Sequence, residues 1–186
     1  MHEAGAGTAR IRIRFMISAI ILTFIAVIWF AFSIFLSHQN GSDTYRTSIG
    51  IAEKIYTLLE KLGAFEEGAL FSGYASDGLE FVNQLLRRCA HVVIFLVMAI
   101  LICMSLYFLA AYTRIRIPVW AGFVFCVVWS WIDEATKIAV QGRHFAWLDV
   151  GLNIAGCAAG AAVFILWRRL REKHIREKTA GEKTES

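Results

Sequence analysis

Ionisable and amide side chains gather beside the apolar runs of this sequence, within a few short stretches. Such groups are costly to place in an apolar interior, so by default they indicate a functional site. Arginine presents a fork of donors that matches phosphate oxygens, while carboxylates and amides orient such donors and contact polar parts of a ligand. Residue type and spacing therefore predict one site for an anionic group, composed of Arg87, Arg88, His91, Asp133, Glu134, Lys137, Arg143, Asp149 and Asn153.

Helical spacing puts these residues on shared faces, because residues three and four positions apart are neighbours on an α-helix. Asp149, Asn153, Gly156 and Gly160 fall at i, i+4, i+7 and i+11 and form a narrow stripe. The two glycines allow another helix to approach closely, so we interpret them as helix-packing positions. Two further faces each combine three residues, namely Arg87, Arg88 and His91 in one stretch and Asp133, Glu134 and Lys137 in another.

The same charges allow two other interpretations. A neutralised salt-bridge network that only locks helices together could be formed by Glu134, Asp149, Arg143 and Arg88. Alternatively, Glu134 or His91 could serve as the general base of a hydrolase or transferase. No nucleophile stands beside a base, so the sequence argues against an enzyme without deciding the question, and it assigns no catalytic residue.

The cysteines lack the spacing of a metal site or of a disulfide framework. Zinc sites and small disulfide scaffolds need clustered or paired thiols. We therefore predict no metal and no cofactor, and we interpret the cysteines as small apolar packing residues. They are Cys89, Cys103, Cys126 and Cys157.

The composition is that of a membrane protein. Hydrophobic residues make up 58% of the chain, compared with roughly 45–50% in soluble domains. A helix needs about 20 apolar residues to cross the hydrocarbon core. We predict an all-α membrane protein, a bundle of four transmembrane helices, preceded by residues 1–14 and followed by a charged tail, residues 168–186. The predicted spans are residues 15–36, 90–112, 117–139 and 148–167.

The distribution of basic residues predicts the orientation. If both termini lie in the cytoplasm, twelve of the 19 Lys and Arg residues are inside. Cytoplasmic segments of membrane proteins carry an excess of Lys and Arg. We therefore predict an inner-membrane protein with both termini in the cytoplasm and with the polar residues near the outer face.

The long outer segment between the first two spans has helical periodicity. Leucine and isoleucine recur at helical spacing in residues 51–62, and the pattern repeats in residues 79–86. The pattern predicts short amphipathic helices in this first extracytoplasmic loop, which lie on the membrane or cap the bundle. Docking of a partner is the alternative role for this segment.

Several motifs resemble those of the VanZ-like membrane proteins. Leu86-Arg87-Arg88-Cys89-Ala90-His91 is similar to the basic pair and Ala-His at the second span of that family, and Ser37-His38-Gln39-Asn40-Gly41 is similar to its segment after the first span. Lys137 departs from the pattern, because the family often has glutamine there. The hallmark stretch of the family is matched by Asp133, Glu134, Gln141, Gly142, Arg143, Asp149, Asn153, Gly156 and Gly160.

The resemblance implies a role in the bacterial cell envelope. Founding members of the family are associated with low-level resistance to glycopeptide antibiotics. The resemblance therefore implies a link to such resistance as an expectation for this chain. The leading functional prediction is binding of a membrane lipid headgroup or a lipid-linked envelope precursor at the outer leaflet. The alternatives are a membrane-embedded hydrolase or transferase acting on a lipid-linked substrate, and an accessory subunit that docks a partner through residues 47–86. No nucleic acid partner is predicted, whereas homo-oligomerisation and an envelope protein partner stay open.

Overall fold

The computed structural model describes residues 2–39, 41–63, 75–118 and 120–184. Within these residues the protein is helical and has no strand, which confirms the all-α prediction. A short 3₁₀ turn, Lys137–Ala139, follows the fourth helix. The helices are α1 (His2–Ser37), α2 (Gly41–Lys61), α3 (Ala75–Thr113), α4 (Trp120–Thr136) and α5 (Trp147–Thr184).

Three helices are long and apolar enough to cross a membrane, and they lie within α1, α3 and α5. These segments are Arg10–Ser37, Gly78–Thr113 and Trp147–Lys178. Helix α4 has 17 residues, which is about 25 Å of helix, and it is not among them. The membrane class predicted from composition is thus confirmed.

Contacts between named side chains give the directions of the helices. Helices α3 and α5 run parallel, because His91 lies beside Asn153 at one end and Tyr107 packs on Phe164 towards the other. Helix α1 is antiparallel to α3, since the Trp29 indole donates to the Ile94 carbonyl while the earlier Phe15 of α1 packs on the later Phe108 of α3. The C-terminal ends of α1 and α4 therefore meet the N-terminal ends of α3 and α5. We call this end of the bundle the cavity end, after the cavity described in the next section, and the opposite one, where the charged tail begins, the tail end.

Glycines on α5 set the close contact with α3. A Cβ atom built on Gly156 would lie 2.4 Å from the Val92 carbonyl oxygen, and one on Gly160 would lie 2.4 Å from the Leu96 carbonyl oxygen. Real carbon atoms do not approach an oxygen so closely, so α3 can occupy this position only against glycine. The backbones of the two helices are therefore in contact along Gly156 and Gly160, the two glycines of the stripe identified in the sequence.

The bundle core lies beside this contact. Phe95, Met98 and Ala99 of α3 pack with Cys126 of α4 and Cys157 of α5. The Phe30 ring of α1 lies 4.2 Å from the Trp129 ring, centroid to centroid, and extends the core to α1. All four cysteines are free thiols, of which Cys89 is exposed and the other three are buried.

Helix α2 packs on the first turns of α3. Ala52 and Tyr56 form a small second core with Val82, and the Tyr45 hydroxyl donates to Glu80 over 3.1 Å. This hydrogen bond and the charge of Glu80 raise the pKa of Tyr45 above its ordinary value.

The second predicted amphipathic segment differs from the structure. Residues 79–86 are not a separate short helix but the beginning of α3, and residues 64–74 lie outside the described part of the chain. In the first segment, Ile51 and Leu58 of α2 and Leu62 directly after it are exposed, while the smaller Ala52 faces the protein. The leucine face of α2 is thus left for surroundings other than α3.

Candidate functional site

A cavity of about 300 Å³ opens at the cavity end, between α1, α2, α3 and the segment after α4. Its walls combine arginine, histidine, aspartate and hydroxyl groups with apolar side chains. The polar lining residues are Ser33, Ser37, Gln39, Thr47, Ser48, Arg87, His91, Asp133 and Arg143, and the apolar ones include Leu36, Ile51, Leu86, Ile94 and Phe95. The cavity therefore combines polar side chains, two of them arginines, with an apolar floor.

Two guanidinium groups reach this cavity from distant parts of the sequence. Arg87 projects from α3, and Arg143 comes from the segment between α4 and α5, where its Nη2 atom donates to the Leu36 carbonyl over 3.3 Å. Burial lowers the pKa of Arg143, and the nearby positive charge of Arg87 acts in the same direction. Two like charges near one cavity repel each other, and a bound anion would relieve that repulsion.

The position of Arg143 depends on a tight turn. Gly142 has a φ of +75°, in the left-handed region that glycine adopts without strain. The Arg143 N–H donates to the Val140 carbonyl over 3.2 Å, and the Val140 N–H donates to the Lys137 carbonyl over 3.0 Å. The turn reverses the chain directly after the 3₁₀ segment and brings Arg143 back towards the C-terminal end of α1.

Asp133 supplies a carboxylate to the cavity wall. It is buried and accepts a hydrogen bond from the Ser37 hydroxyl. Its Oδ1 atom has no hydrogen-bond partner among the described residues. Such a carboxylate can accept from a donor on a ligand or can hold a neighbouring guanidinium in place.

An ion network continues from the cavity into the bundle through His91. The Nδ1 atom of His91 lies 3.1 Å from the Asn153 amide oxygen, and its Nε2 atom lies 3.4 Å from the Asp149 carboxylate. Asp149 is also 3.7 Å from the Lys137 ammonium. Both ring nitrogens of His91 therefore face oxygen atoms of α5, which fixes the ring beside the cavity.

Glu134 and Lys137 form the innermost part of this network. Their side chains are in direct contact and are 0% and 3% exposed. The Ala146 N–H donates to the second carboxylate oxygen of Glu134 over 3.0 Å, which ties the N-terminal end of α5 to α4. Buried charges are tolerated when they are paired and hydrogen-bonded, and both conditions hold for this carboxylate.

Comparison with models of known protein families identifies the family of this chain. The family model VanZ/LLP1 matches residues 22–168, from within α1 to within α5. The chain belongs to the VanZ/LLP1 family. The resemblance seen in the sequence motifs is thus confirmed. No curated protein and no solved structure matches the chain.

The VanZ/LLP1 region contains all nine residues predicted for the site, and the structure places eight of them in two connected groups of four. Arg87, His91, Asp133 and Arg143 line the cavity, while the four remaining network residues lie behind His91. Arg88 is exposed and is not part of the wall. The ion pairs of Glu134 and Asp149 involve Lys137 and His91, instead of the Arg88 and Arg143 of the alternative salt-bridge prediction.

Several hydroxyl and amide residues of the wall were missing from the predicted site. Ser33 and Ser37 are four positions apart, so they share a face at the end of α1. Ser37 also belongs to the motif that follows the first span, which could have indicated it. Thr47 and Ser48 of α2 have no comparable signal, because serine and threonine are common on the polar face of any helix.

Among the described residues no group of three or more His, Cys, Asp or Glu side chains could hold a metal ion.

Proposed function

We propose that this VanZ/LLP1 protein crosses the bacterial inner membrane four times, with the cavity end outside and both termini in the cytoplasm. The parallel course of α3 and α5 supports a return crossing by α4, because α3 ends at the tail end whereas α5 begins at the cavity end, so the chain must cross back between them. Gly122 of α4 lies beside Cys103 in the second half of α3, and Asp133 lies at the cavity end beside Ser37. The excess of Lys and Arg at the tail end supports the orientation.

Cysteine labelling tests both the count of crossings and the orientation. In a chain whose three buried cysteines are replaced by alanine, Cys89 should react with a membrane-impermeant maleimide added to spheroplasts. With Cys89 also replaced, a cysteine introduced by Arg169→Cys should react only after lysis, because three crossings separate the two positions. Labelling of both positions from the same side would mean that α4 does not cross.

The cavity, in this proposal, binds the phosphorylated headgroup of a lipid or a lipid-linked envelope precursor. The observation that carries it is the convergence of Arg87 and Arg143 on one cavity that also has an apolar floor. Guanidinium forks suit phosphate oxygens, and Ile94 and Phe95 offer contact to the first carbons of a lipid chain. His91 and Asp133 would contact polar groups next to the phosphate.

With Glu134 and Asp149 paired inside the network, two arginines would face the single carboxylate of Asp133 in the cavity wall, which leaves an excess of positive charge there. The Glu134 carboxylate is already paired with Lys137, so it does not draw the arginines away from the cavity. Asp149 similarly contacts His91 and Lys137. The acids of the network thus fix His91 and the N-terminal end of α5, while the two arginines stay in the cavity wall, where they would meet an anionic ligand.

Neighbouring arginines on α3 provide a matched test. Arg87→Gln should weaken binding of undecaprenyl phosphate to the purified protein about tenfold or more, because a hydrogen bond to a charged group contributes about 1.5–3 kcal/mol. Arg88→Gln removes the same charge one position away, outside the cavity, and should leave the affinity within about twofold. Native mass spectrometry with increasing lipid concentration would measure both dissociation constants.

The result would contradict the proposal if the two variants bound equally well or lost affinity equally. A shift of the bound lipid to a dephosphorylated mass during the same experiment would favour the hydrolase alternative.

The proposed link to glycopeptide resistance can be tested separately, by measuring the minimal inhibitory concentration of teicoplanin in cells that express each variant. Protection that persists in Arg87→Gln would separate resistance from the cavity.

A further inference from the structure

A second cavity lies at the tail end of the bundle, between the C-terminal turns of α3, residues 115–118 and α5. Its volume is about 260 Å³. Tyr107, Ala110 and Phe164 form an apolar interior, and Arg116 and Arg168 stand among the lining residues. About 16 residues of α3 separate His91 from Tyr107, or roughly 24 Å of helix, so this cavity is distinct from the one at the cavity end.

Aromatic rings surround one arginine side chain beside this cavity. The guanidinium carbon of Arg171 lies 5.7 Å from the Tyr107 ring centroid and 5.4 Å from each of the Phe108 and Trp167 ring centroids. Arg171 is not one of the lining residues, but the Tyr107 ring on which it stacks is. Its positive charge therefore lies next to the cavity.

The positive charge at this end is only partly compensated. Arg168 donates from Nε to Glu172 over 2.8 Å. No ion pair of Arg116 is found in the described ranges, where its side chain is exposed at the cavity rim. Arg116 and Arg168 at the lining, the charge of Arg171 beside it and the apolar interior together complement a phospholipid, which has an anionic phosphodiester above acyl carbons.

We propose that the tail-end cavity binds an anionic phospholipid of the adjoining leaflet, with its phosphodiester between Arg116 and Arg168 and the first part of an acyl chain against Tyr107 and Phe164. Basic pockets between transmembrane helices are suited to such headgroups. The zwitterionic phospholipids bring an additional cation to a rim that already has an excess of positive charge. The site accordingly selects phosphatidylglycerol over phosphatidylcholine.

Titration of the purified full chain with each phospholipid tests this site. Native mass spectrometry should show tight retention of phosphatidylglycerol, and Arg116→Gln should weaken it about tenfold, with phosphatidylcholine weak in both proteins. Arg116 is exposed and makes no described ion pair, so its replacement should leave the fold intact. The control is Arg169→Gln, an exposed arginine of α5 outside the cavity, which should bind like the unmodified protein.

Two further experiments distinguish binding in this cavity from attraction to diffuse surface charge and from binding of a free anion. The effect of Arg116→Gln should be the same in an Arg87→Gln background, because the two cavities lie at opposite ends. Soluble glycerol phosphate should not compete at millimolar concentration, since it lacks the acyl chain. Equal losses in Arg116→Gln and Arg169→Gln would reduce the effect to diffuse surface charge, and effective competition by glycerol phosphate would make it a free-anion site; either result overturns the proposal.

Discussion

Replacing Lys137 with methionine should lower the free energy of unfolding by about 3–5 kcal/mol, because it leaves the buried Glu134 carboxylate without its ammonium partner. Glu134 is completely buried, and the Ala146 N–H would be its remaining described hydrogen-bond donor. Methionine has a volume similar to that of lysine, so the loss of charge pairing and not of packing dominates the effect. Unfolding in mixed micelles by increasing fractions of sodium dodecyl sulfate would measure the change.

Two companion variants isolate the charge effect. Lys173→Met removes a lysine whose side chain is 74% exposed, and it should change the stability by less than about 0.5 kcal/mol. Adding Glu134→Gln to Lys137→Met should recover part of the lost stability, since the amide oxygen can still accept from Ala146 and the charge at position 134 is removed together with its partner. If the double variant is as unstable as the sum of the single variants, the ion pair is not what stabilises this end of the bundle.

Gly156→Ala should destabilise the bundle by about 1–3 kcal/mol, the usual cost of overpacking a tight contact. The added methyl group would fall 2.4 Å from the Val92 carbonyl oxygen, and backbone atoms cannot move aside as a flexible side chain can. Helices α3 and α5 would have to separate, and the contact of His91 with Asn153 one turn away would lengthen. The substitution should therefore weaken ligand binding at the cavity end as well as stability.

A glycine in the same helix serves as the control. A methyl group added at Gly151 would have no neighbouring atom within 4 Å, so Gly151→Ala should be neutral or stabilising by up to about 1 kcal/mol through helix propensity. Both variants can be compared by the same unfolding measurement and by the lipid titration. A Gly156→Ala protein as stable as Gly151→Ala would show that α3 and α5 do not need this close approach.

Helical periodicity was sufficient to predict most of the architecture, because a membrane leaves few alternatives. An apolar run must form a helix there, and the stripe from Asp149 to Gly160 marks the side of α5 that faces α3. Sequence could not distinguish Arg87 from Arg88, because both lie within one turn of His91. Only the rotation of α3 about its axis, which is set by packing against α1, α2 and α5, decides which arginine reaches the cavity.

Lys137 and α2 show where one-dimensional patterns fail. The orientation rule counts Lys137 as an outer charge, yet the 3₁₀ turn after Thr136 directs it to Glu134 and buries it. For residues 51–62, helical periodicity predicts an amphipathic helix that lies on the membrane or caps the bundle, but it does not predict which residues contact α3. Ala52 and Tyr56 make that contact, while Leu58 of α2 and Leu62 directly after it are exposed. Hydrophobicity measures transfer from water and does not distinguish a protein neighbour from a lipid one.

The charged C-terminal end of α4 has a consequence for biogenesis. The apolar part of this helix, residues 120–132, is too short to partition from the translocon into lipid by itself, and the next two residues are acids. The groups that neutralise Glu134 or donate hydrogen bonds to it belong to Lys137 and Ala146, a few residues further along the chain. We expect α4 and α5 to enter the bilayer together as a helical hairpin, with Glu134 already paired when it leaves the aqueous channel.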